Sequence, residues 1–198
     1  MTHVGCSNGI DLAADLEWGS HFCQLYQTRD DLVDTVVPFF AAGLDNNDQC
    51  LWLTSEPLEA EHATGELAKR VSGLQSKIER GQIRIVAHSD WYGRTGSFDA
   101  DSMLAAWIAA EQSARERGYA GVRAVGHLSS LKNQEEWQQF RKYESRVSET
   151  VAGRRIIALC SYDLGMFEGS ADRVDGEVAF HLTVGAAQGA LHADSGSR

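Results

Sequence analysis

Five short apolar segments, separated by helical patterns, constrain the fold of this chain more than any other feature. Each segment has the length and side-chain content of a buried strand, and apolar residues at three- and four-residue spacing follow it. A helix between consecutive strands returns the chain so that the strands run parallel. The sequence therefore predicts an α/β three-layer sandwich with a mainly parallel five-stranded sheet. The predicted strands are His21–Tyr26, Gln49–Thr54, Gln82–Ala87, one within Gly121–Leu131, and Arg155–Ser161.

The length of the chain fits one domain with short extensions. A chain of 198 residues can bury a full core without a second domain. Residues 1–18 are mostly polar and are interpreted as an N-terminal arm. Residues 19–191 are interpreted as the domain and residues 192–198 as a polar tail.

Charge and cysteine content narrow the class of protein. The formal net charge of -10 disfavours a surface for nucleic acid or anionic membrane. No apolar run approaches the roughly 20 residues that a membrane helix needs, and residues 1–15 lack the pattern of a secretory signal. We therefore expect a cytoplasmic protein that binds neither nucleic acid nor membrane directly. The four cysteines have no CxxC spacing and are predicted to be reduced core thiols.

A charge interrupts the fourth apolar segment, which we interpret as the central strand. Arg123 lies inside this run, where a buried charge requires a partner. The helix predicted over Asn133–Val151 carries Glu144 on its apolar face, directed at the sheet. The pattern predicts a buried Arg123–Glu144 ion pair. It leaves open whether this pair only stabilises the fold or also positions a ligand.

Polar and aromatic residues collect where the predicted strands end. The carboxyl ends of parallel strands face a common crevice, which is where ligands bind in open α/β sheets. Aromatic walls with a few polar groups suit a small organic ligand, although aromatic residues at strand ends can also simply close a core. The predicted ligand-binding residues are Tyr26, Glu56, Trp91, Tyr92, Arg123, His127 and Tyr162.

The motifs of several enzyme classes are missing from the sequence. The junction Tyr26–Asp31 has no glycine or lysine to hold phosphates, and Gly126 stands where a magnesium-binding acid is expected. There is no GxSxG or HExxH motif. The spacing of His21, His127 and Cys160 does not support a metal site. We therefore predict no catalytic residues, no metal and no cofactor.

Several segments together resemble the MEDS domain (methanogen/methylotroph, DcmR sensory domain) over about residues 19–182. No single segment is specific, but their combination is. The segments are His21–Tyr26, Val37–Phe40 with Ala42–Leu44, Leu51–Pro57, Trp91–Tyr92 with Gly96 and Phe98–Asp99, Trp107, Gly126, Tyr143–Glu144 and Ala158–Tyr162.

This resemblance implies a fold similar to the KaiC/RecA-like ATPases without their nucleotide machinery. It also implies a sensory module for small hydrocarbon derivatives that acts in transcriptional or histidine-kinase signalling. Because no second domain is predicted, we expect the output to pass through a protein partner, and a homodimer is possible. One alternative is a nucleotide-binding KaiC-like protein with weak or no ATPase activity. In that reading, Glu56 lies in a segment similar to the strand end that carries a catalytic glutamate. A third reading is a ligand-free protein-interaction module.

Overall fold

The computed structural model describes residues 16–91, 100–128 and 134–167. Within them, five strands form one sheet in the order β1-β5-β4-β2-β3, and every neighbouring pair is parallel. This confirms the predicted α/β class and places the fourth strand at the centre of the sheet. The strands are β1 (His21–Tyr26), β2 (Gln49–Thr54), β3 (Ile83–Ala87), β4 (Val122–Leu128) and β5 (Ile156–Asp163).

Helices cover both faces of the sheet. They are α1 (Arg29–Asp45), α2 (Ala60–Arg70), α3 (Leu74–Glu79), α4 (His88–Trp91), α5 (Ala100–Glu116) and α6 (Gln134–Val151), and a 3-10 turn at Leu164–Phe167 follows β5. We call the side covered by α1, α2 and α3 the α1 face, and the side covered by α5 and α6 the α6 face. Within the described residues, no helix is both long and apolar enough to cross a bilayer.

The pleat of each strand divides its side chains between these two faces. On β2, Cys50 and Trp52 pack in the core of the α1 face, whereas Leu51 and Leu53 pack in the core of the α6 face. Strands buried on both sides read as continuous apolar runs, which is why the sequence revealed them clearly.

Two local patterns differ from the structure. The sequence predicts Pro57 at the first position of a helix, but α2 begins at Ala60, and a turn closed by the Leu58 N–H donating to the Ser55 carbonyl at 3.0 Å precedes it. The sequence also predicts a loop from His88 onward, but His88–Trp91 forms one helical turn. Residues 1–15 of the predicted arm, a helix predicted over about 172–191, and the predicted tail lie outside the described residues.

Arg123 pairs with Asp48, so the predicted Arg123–Glu144 pair is wrong. Arg123 is 1% exposed, and its Nε donates to the Asp48 carboxylate at 3.0 Å. Its Nη1 donates to the Phe39 carbonyl at 3.1 Å, and the guanidinium lies over the Phe39 ring at 4.9 Å. The physical reason is the pleat, because Arg123 points to the α1 face while Glu144 lies on α6, across the sheet.

Gly43 of α1 makes room for this buried guanidinium. A Cβ at this position would lie 2.7 Å from Cδ of Arg123 and 2.9 Å from its Nε. Such contacts are too short for carbon, so the close approach of α1 to Arg123 requires glycine. The packing of α1 on the sheet and the burial of the Arg123–Asp48 pair therefore depend on the same glycine.

Removing Asp48 is expected to destabilise the fold strongly. Asp48→Ala leaves the Arg123 guanidinium buried without its counter-charge, which typically costs about 3–5 kcal/mol of the free energy of unfolding. Urea denaturation measures this loss. Asp45→Ala removes an exposed carboxylate three residues earlier and serves as the matched control.

A double variant tests whether the loss comes from the uncompensated charge. Asp48→Ala combined with Arg123→Met removes both charges, and apolar replacement of a buried pair is often close to neutral. We expect the double variant to recover part of the lost stability. A single variant that costs less than about 1 kcal/mol, the usual value of an exposed pair, would contradict this role of Asp48.

Candidate functional site

A small apolar cavity lies on the α6 face at the carboxyl ends of the central strands. Its volume is about 30 Å³. Leu53, Gly126, Cys160 and Tyr162 line it from the strands, Met103, Trp107, Phe140 and Tyr143 from the helices, and His88 and His127 from the strand ends. This is the edge of a parallel sheet at which α/β proteins bind ligands.

Gly126 creates this cavity in the middle of the sheet. Among the described residues, no atom lies within 4 Å of the position that a Cβ at Gly126 would occupy. The neighbouring strand positions carry side chains that fill the core, so the missing side chain leaves space between the sheet and the two helices. The sequence placed Gly126 where a magnesium-binding acid is expected, and the structure shows what the glycine provides instead.

The aromatic walls of the cavity are held by hydrogen bonds and ring contacts. The Trp107 Nε1 donates to the Tyr143 hydroxyl at 3.1 Å, and the Tyr162 hydroxyl donates to the Glu144 carboxylate. The Tyr162 ring packs edge-on against Phe140, with centroids 4.9 Å apart. Because these polar atoms already have partners, the walls present mainly ring surface to the cavity.

Buried His127 and half-buried His88 supply the remaining polar atoms. The Nε2 of His127 lies 2.8 Å from the Ser55 nitrogen and 2.5 Å from its carbonyl oxygen, so the Ser55 backbone holds this edge of the ring. Among the described residues, the buried Nδ1 of His127 has no hydrogen-bond partner. Burial lowers the pKa of His127. Burial, and then the charge of His127, lower the pKa of His88 to about 4. Both rings are therefore neutral at pH 7, and the cavity is uncharged.

The structure brings together only part of the predicted ligand-binding set. His127 and Tyr162 line the cavity as predicted. Tyr26 is 1% exposed and lies on the α1 face, where its ring meets His127 edge-on at 6.3 Å. Glu56 is exposed beyond the end of β2 and does not line the cavity.

The remaining predicted residues fall into two groups. Arg123 lies at the start of β4 and does not line the cavity, and its guanidinium is buried with Asp48. The Trp91 side chain and the whole of Tyr92 lie outside the described residues.

The helical walls of the cavity were missed by reasoning from the sequence. Met103 of α5 and Phe140 of α6 have only the helical spacing of core positions, and Trp107 and Tyr143 are otherwise noted only as part of the family resemblance. The one available signal is that Trp107 and Tyr143 each carry a polar atom on an apolar face, which requires a buried partner. Which strand position they face depends on strand order, which the local pattern does not contain.

The amino end of α1 is closed to phosphate by its own side chains. The Asp31 N–H donates to the Thr28 hydroxyl at 3.1 Å, and the Asp31 carboxylate accepts from the Thr28 and Gln27 N–H groups at 2.9 and 3.1 Å. These contacts with Thr28, then Gln27, hold the pKa of Asp31 below its usual value. A phosphate at a helix N-terminus needs free N–H groups and no competing anion, and here a carboxylate already occupies both amides.

The chain matches the model of one protein family, and its structure is similar to that of a solved protein. A model of the MEDS family, described as the MEthanogen/methylotroph, DcmR Sensory domain, matches residues 20–178. The structure is similar to that of a KaiC-like protein from the hyperthermophilic archaeon Pyrococcus horikoshii OT3, with a TM-score of 0.50 and 16% sequence identity. The similarity covers 76% of this chain and 64% of that protein, and it establishes the fold alone. No curated protein matches the chain in sequence. These matches confirm the predicted resemblance.

Acidification is expected to destabilise the fold through His88. Its pKa is about 4 in the folded protein and about 6.5 in the unfolded chain. Between these values the unfolded chain binds more protons, so the free energy of unfolding falls as the pH falls. The total loss from this one group is roughly 3 kcal/mol. Urea denaturation at a series of pH values measures the slope.

Two variants assign the slope to this residue. His88→Gln is expected to flatten the pH dependence between about pH 6.5 and 4, because one of the three described histidines whose pKa burial lowers no longer titrates. His62→Gln, at an exposed position of α2, is the matched control and should leave the slope as in the unmodified protein. An unchanged slope in His88→Gln would refute the assignment.

Proposed function

The chain belongs to the MEDS family of sensory domains, and from this membership we propose that it senses a small organic molecule bound in the cavity beside Gly126. The observation that carries the proposal is the cavity itself. It lies at the ligand-binding edge of the sheet, it is opened by a residue without a side chain, and its walls are aromatic.

The size of the cavity limits the ligand. An apolar cavity of about 150 Å³ holds a benzene molecule, whereas this one has a volume of about 30 Å³. By the same measure the cavity has room for about one or two heavy atoms, so we propose that its walls move apart to admit a small hydrocarbon derivative. Apolar walls favour its carbon skeleton, and the Nδ1 of His127 provides a partner for one polar group.

The walls of the cavity suggest how binding is transmitted. Three parts of the fold meet there, namely the central strands, α5 and α6. A ligand shifts a conformational equilibrium only by its difference in affinity between two states. A molecule that fills the cavity favours the arrangement in which α5 and α6 stay packed on the sheet. We propose that a cytoplasmic regulatory partner, a transcription factor or a histidine kinase, responds to this arrangement.

Nucleotide hydrolysis is the alternative that a KaiC-like fold raises. The proposal that this chain is not an ATPase is supported by the amino end of α1, where the Asp31 carboxylate occupies the amides that would hold phosphate. An exposed Glu56 near the end of β2 could serve as a base only if a phosphate were bound nearby. The competing reading, a ligand-free interaction module, requires a surface rather than a cavity.

Native mass spectrometry of the purified chain separates these three readings. A co-purified mass that is lost on denaturation supports the sensory function and identifies the ligand class. Binding of Mg-ATP supports the nucleotide-binding reading and contradicts the proposal. If neither occurs, calorimetric titration with a panel of short-chain alcohols, ketones and halogenated alkanes provides the second test. Absence of binding across that panel would favour the interaction module.

Filling the cavity is expected to weaken ligand binding without unfolding the protein. In Gly126→Ala the new methyl group enters open space, so the fold is retained, but it occupies volume that the ligand needs. Overpacking of this kind costs about 1–3 kcal/mol, which is roughly a 5- to 100-fold loss in affinity. Gly126→Val should abolish binding. Calorimetry with the bound compound measures both effects.

Gly65→Ala is the matched control for this experiment. Gly65 lies within α2 on the other side of the sheet, and a Cβ there also meets open space among the described residues. The substitution is expected to raise stability by about 0.5–1 kcal/mol, because alanine favours the helix, and to leave affinity unchanged. Equal affinity in Gly126→Ala and the unmodified protein would place the ligand elsewhere.

A further inference from the structure

A cluster of metal-binding side chains lies on the α6 face beside the cavity, between β1, β5 and α6. His21 and Cys23 come from β1, Cys160 from β5 and Glu144 from α6. Cys23 and Cys160 are directly opposite one another in the parallel ladder, and His21 precedes Cys23 by two residues, so all three point to the same face.

We propose that His21, Cys23, Glu144 and Cys160 bind a zinc ion. In a tetrahedral zinc site the bond lengths of about 2.0–2.3 Å place neighbouring ligand atoms about 3.4–3.8 Å apart. The Nε2 of His21 lies 3.2 Å from the Cys160 sulfur, 3.7 Å from the Cys23 sulfur and 3.6 Å from the Glu144 Oε2. The Cys23 sulfur lies 3.6 Å from the same carboxylate oxygen. These four separations are in the range of neighbouring ligands of one ion, and the ligand atoms of His21, Glu144 and Cys160 all lie within 4.8 Å of one another.

Two further side chains orient the proposed ligands. The Nδ1 of His21 lies 3.0 Å from the Ser148 hydroxyl, which turns the Nε2 toward the cluster. The Tyr162 hydroxyl donates to Oε1 of Glu144 and leaves Oε2 for the metal. Such outer partners hold zinc ligands in place and fix the histidine tautomer.

The donor set selects the metal. Two thiolates, one imidazole and one carboxylate in a four-coordinate arrangement suit zinc, whereas magnesium and calcium prefer oxygen ligands. Zinc binding converts two thiols to thiolates and releases two protons, and a zinc ion with two thiolates, one carboxylate and one neutral imidazole carries one net negative charge. With four protein ligands the site has no open position, so the zinc ties β1, β5 and α6 together as a structural ion.

Zinc content and cobalt spectra test the proposal. The full chain is produced in zinc-supplemented medium and purified without chelator. Elemental mass spectrometry is expected to find about one zinc per chain. Replacement of zinc by cobalt should give thiolate-to-cobalt charge-transfer bands and the visible bands of tetrahedral cobalt. A folded, metal-free chain with no such spectrum would overturn the proposal, as would stoichiometric iron or copper in place of zinc.

Matched variants locate the ion. Cys23→Ala and Cys160→Ala are expected to lose the zinc, whereas Cys50→Ala removes a buried thiol on the α1 face and should retain it. Tyr162→Phe keeps all four ligands, and its zinc affinity should fall about 10- to 100-fold. Circular dichroism checks that each variant is folded. The cobalt spectrum is recorded on the unmodified chain, so it tests the proposal even if a variant fails to fold.

A disulfide is the competing use of the same two cysteines. Because Cys23 and Cys160 are cross-strand neighbours, oxidation could join them and remove both thiolates. A freshly purified, metal-free chain whose mass is lower by two hydrogens would overturn the zinc assignment. The zinc proposal and the ligand proposal can be tested independently. Gly126→Ala changes the cavity but is expected to leave the zinc content unchanged.

Discussion

The pleat of the central strand is the constraint on which the rest of this structure depends. β4 is buried on both sides, so each residue along it must suit the helices that it faces. Arg123 and Val125 face α1, whereas Ala124 and Gly126 face α5 and α6. Arg123 and Gly126 therefore lie three residues apart on the same strand but face opposite sides of the sheet. The sheet separates a charged pair that secures one layer from a cavity that opens in the other.

The two faces use buried polar groups differently. On the α1 face, Asp48 supplies the counter-charge to Arg123, and Gly43 lets the helix approach it. On the α6 face, hydroxyl and indole groups are satisfied by one another, and the two histidines at the cavity are neutral because burial disfavours their charged forms. An uncharged cavity with aromatic walls suits an apolar ligand and does not suit a phosphate.

The amino end of α1 is capped by side chains of its own first turn. In nucleotide-binding α/β proteins the helix after the first strand presents free amides to phosphate. Here Thr28 and Asp31 form a capping box, in which the Thr28 hydroxyl accepts from the Asp31 N–H and the Asp31 carboxylate accepts from the Thr28 N–H. The helix gains a stable start, and a carboxylate lies where an anion would approach it. At the carboxyl edge of the sheet, Gly126 leaves a space between the central strands and the helices of the α6 face.

The sequence by itself determined the secondary structure, because helix and strand periodicity are local properties of the chain. The five strands and the apolar face of α6 were predicted correctly, with errors near Pro57 and His88, where short turns compete with helix. Only the tertiary structure decided which residues meet. The predicted partner of Arg123 was wrong because the choice depends on which face of β4 the residue occupies and on what covers it. Asp48 lies 75 residues away in sequence, and His21 and Cys160 are separated by 139 residues. Such contacts follow from strand order and register, which are set by the packing of the whole domain rather than by any local pattern.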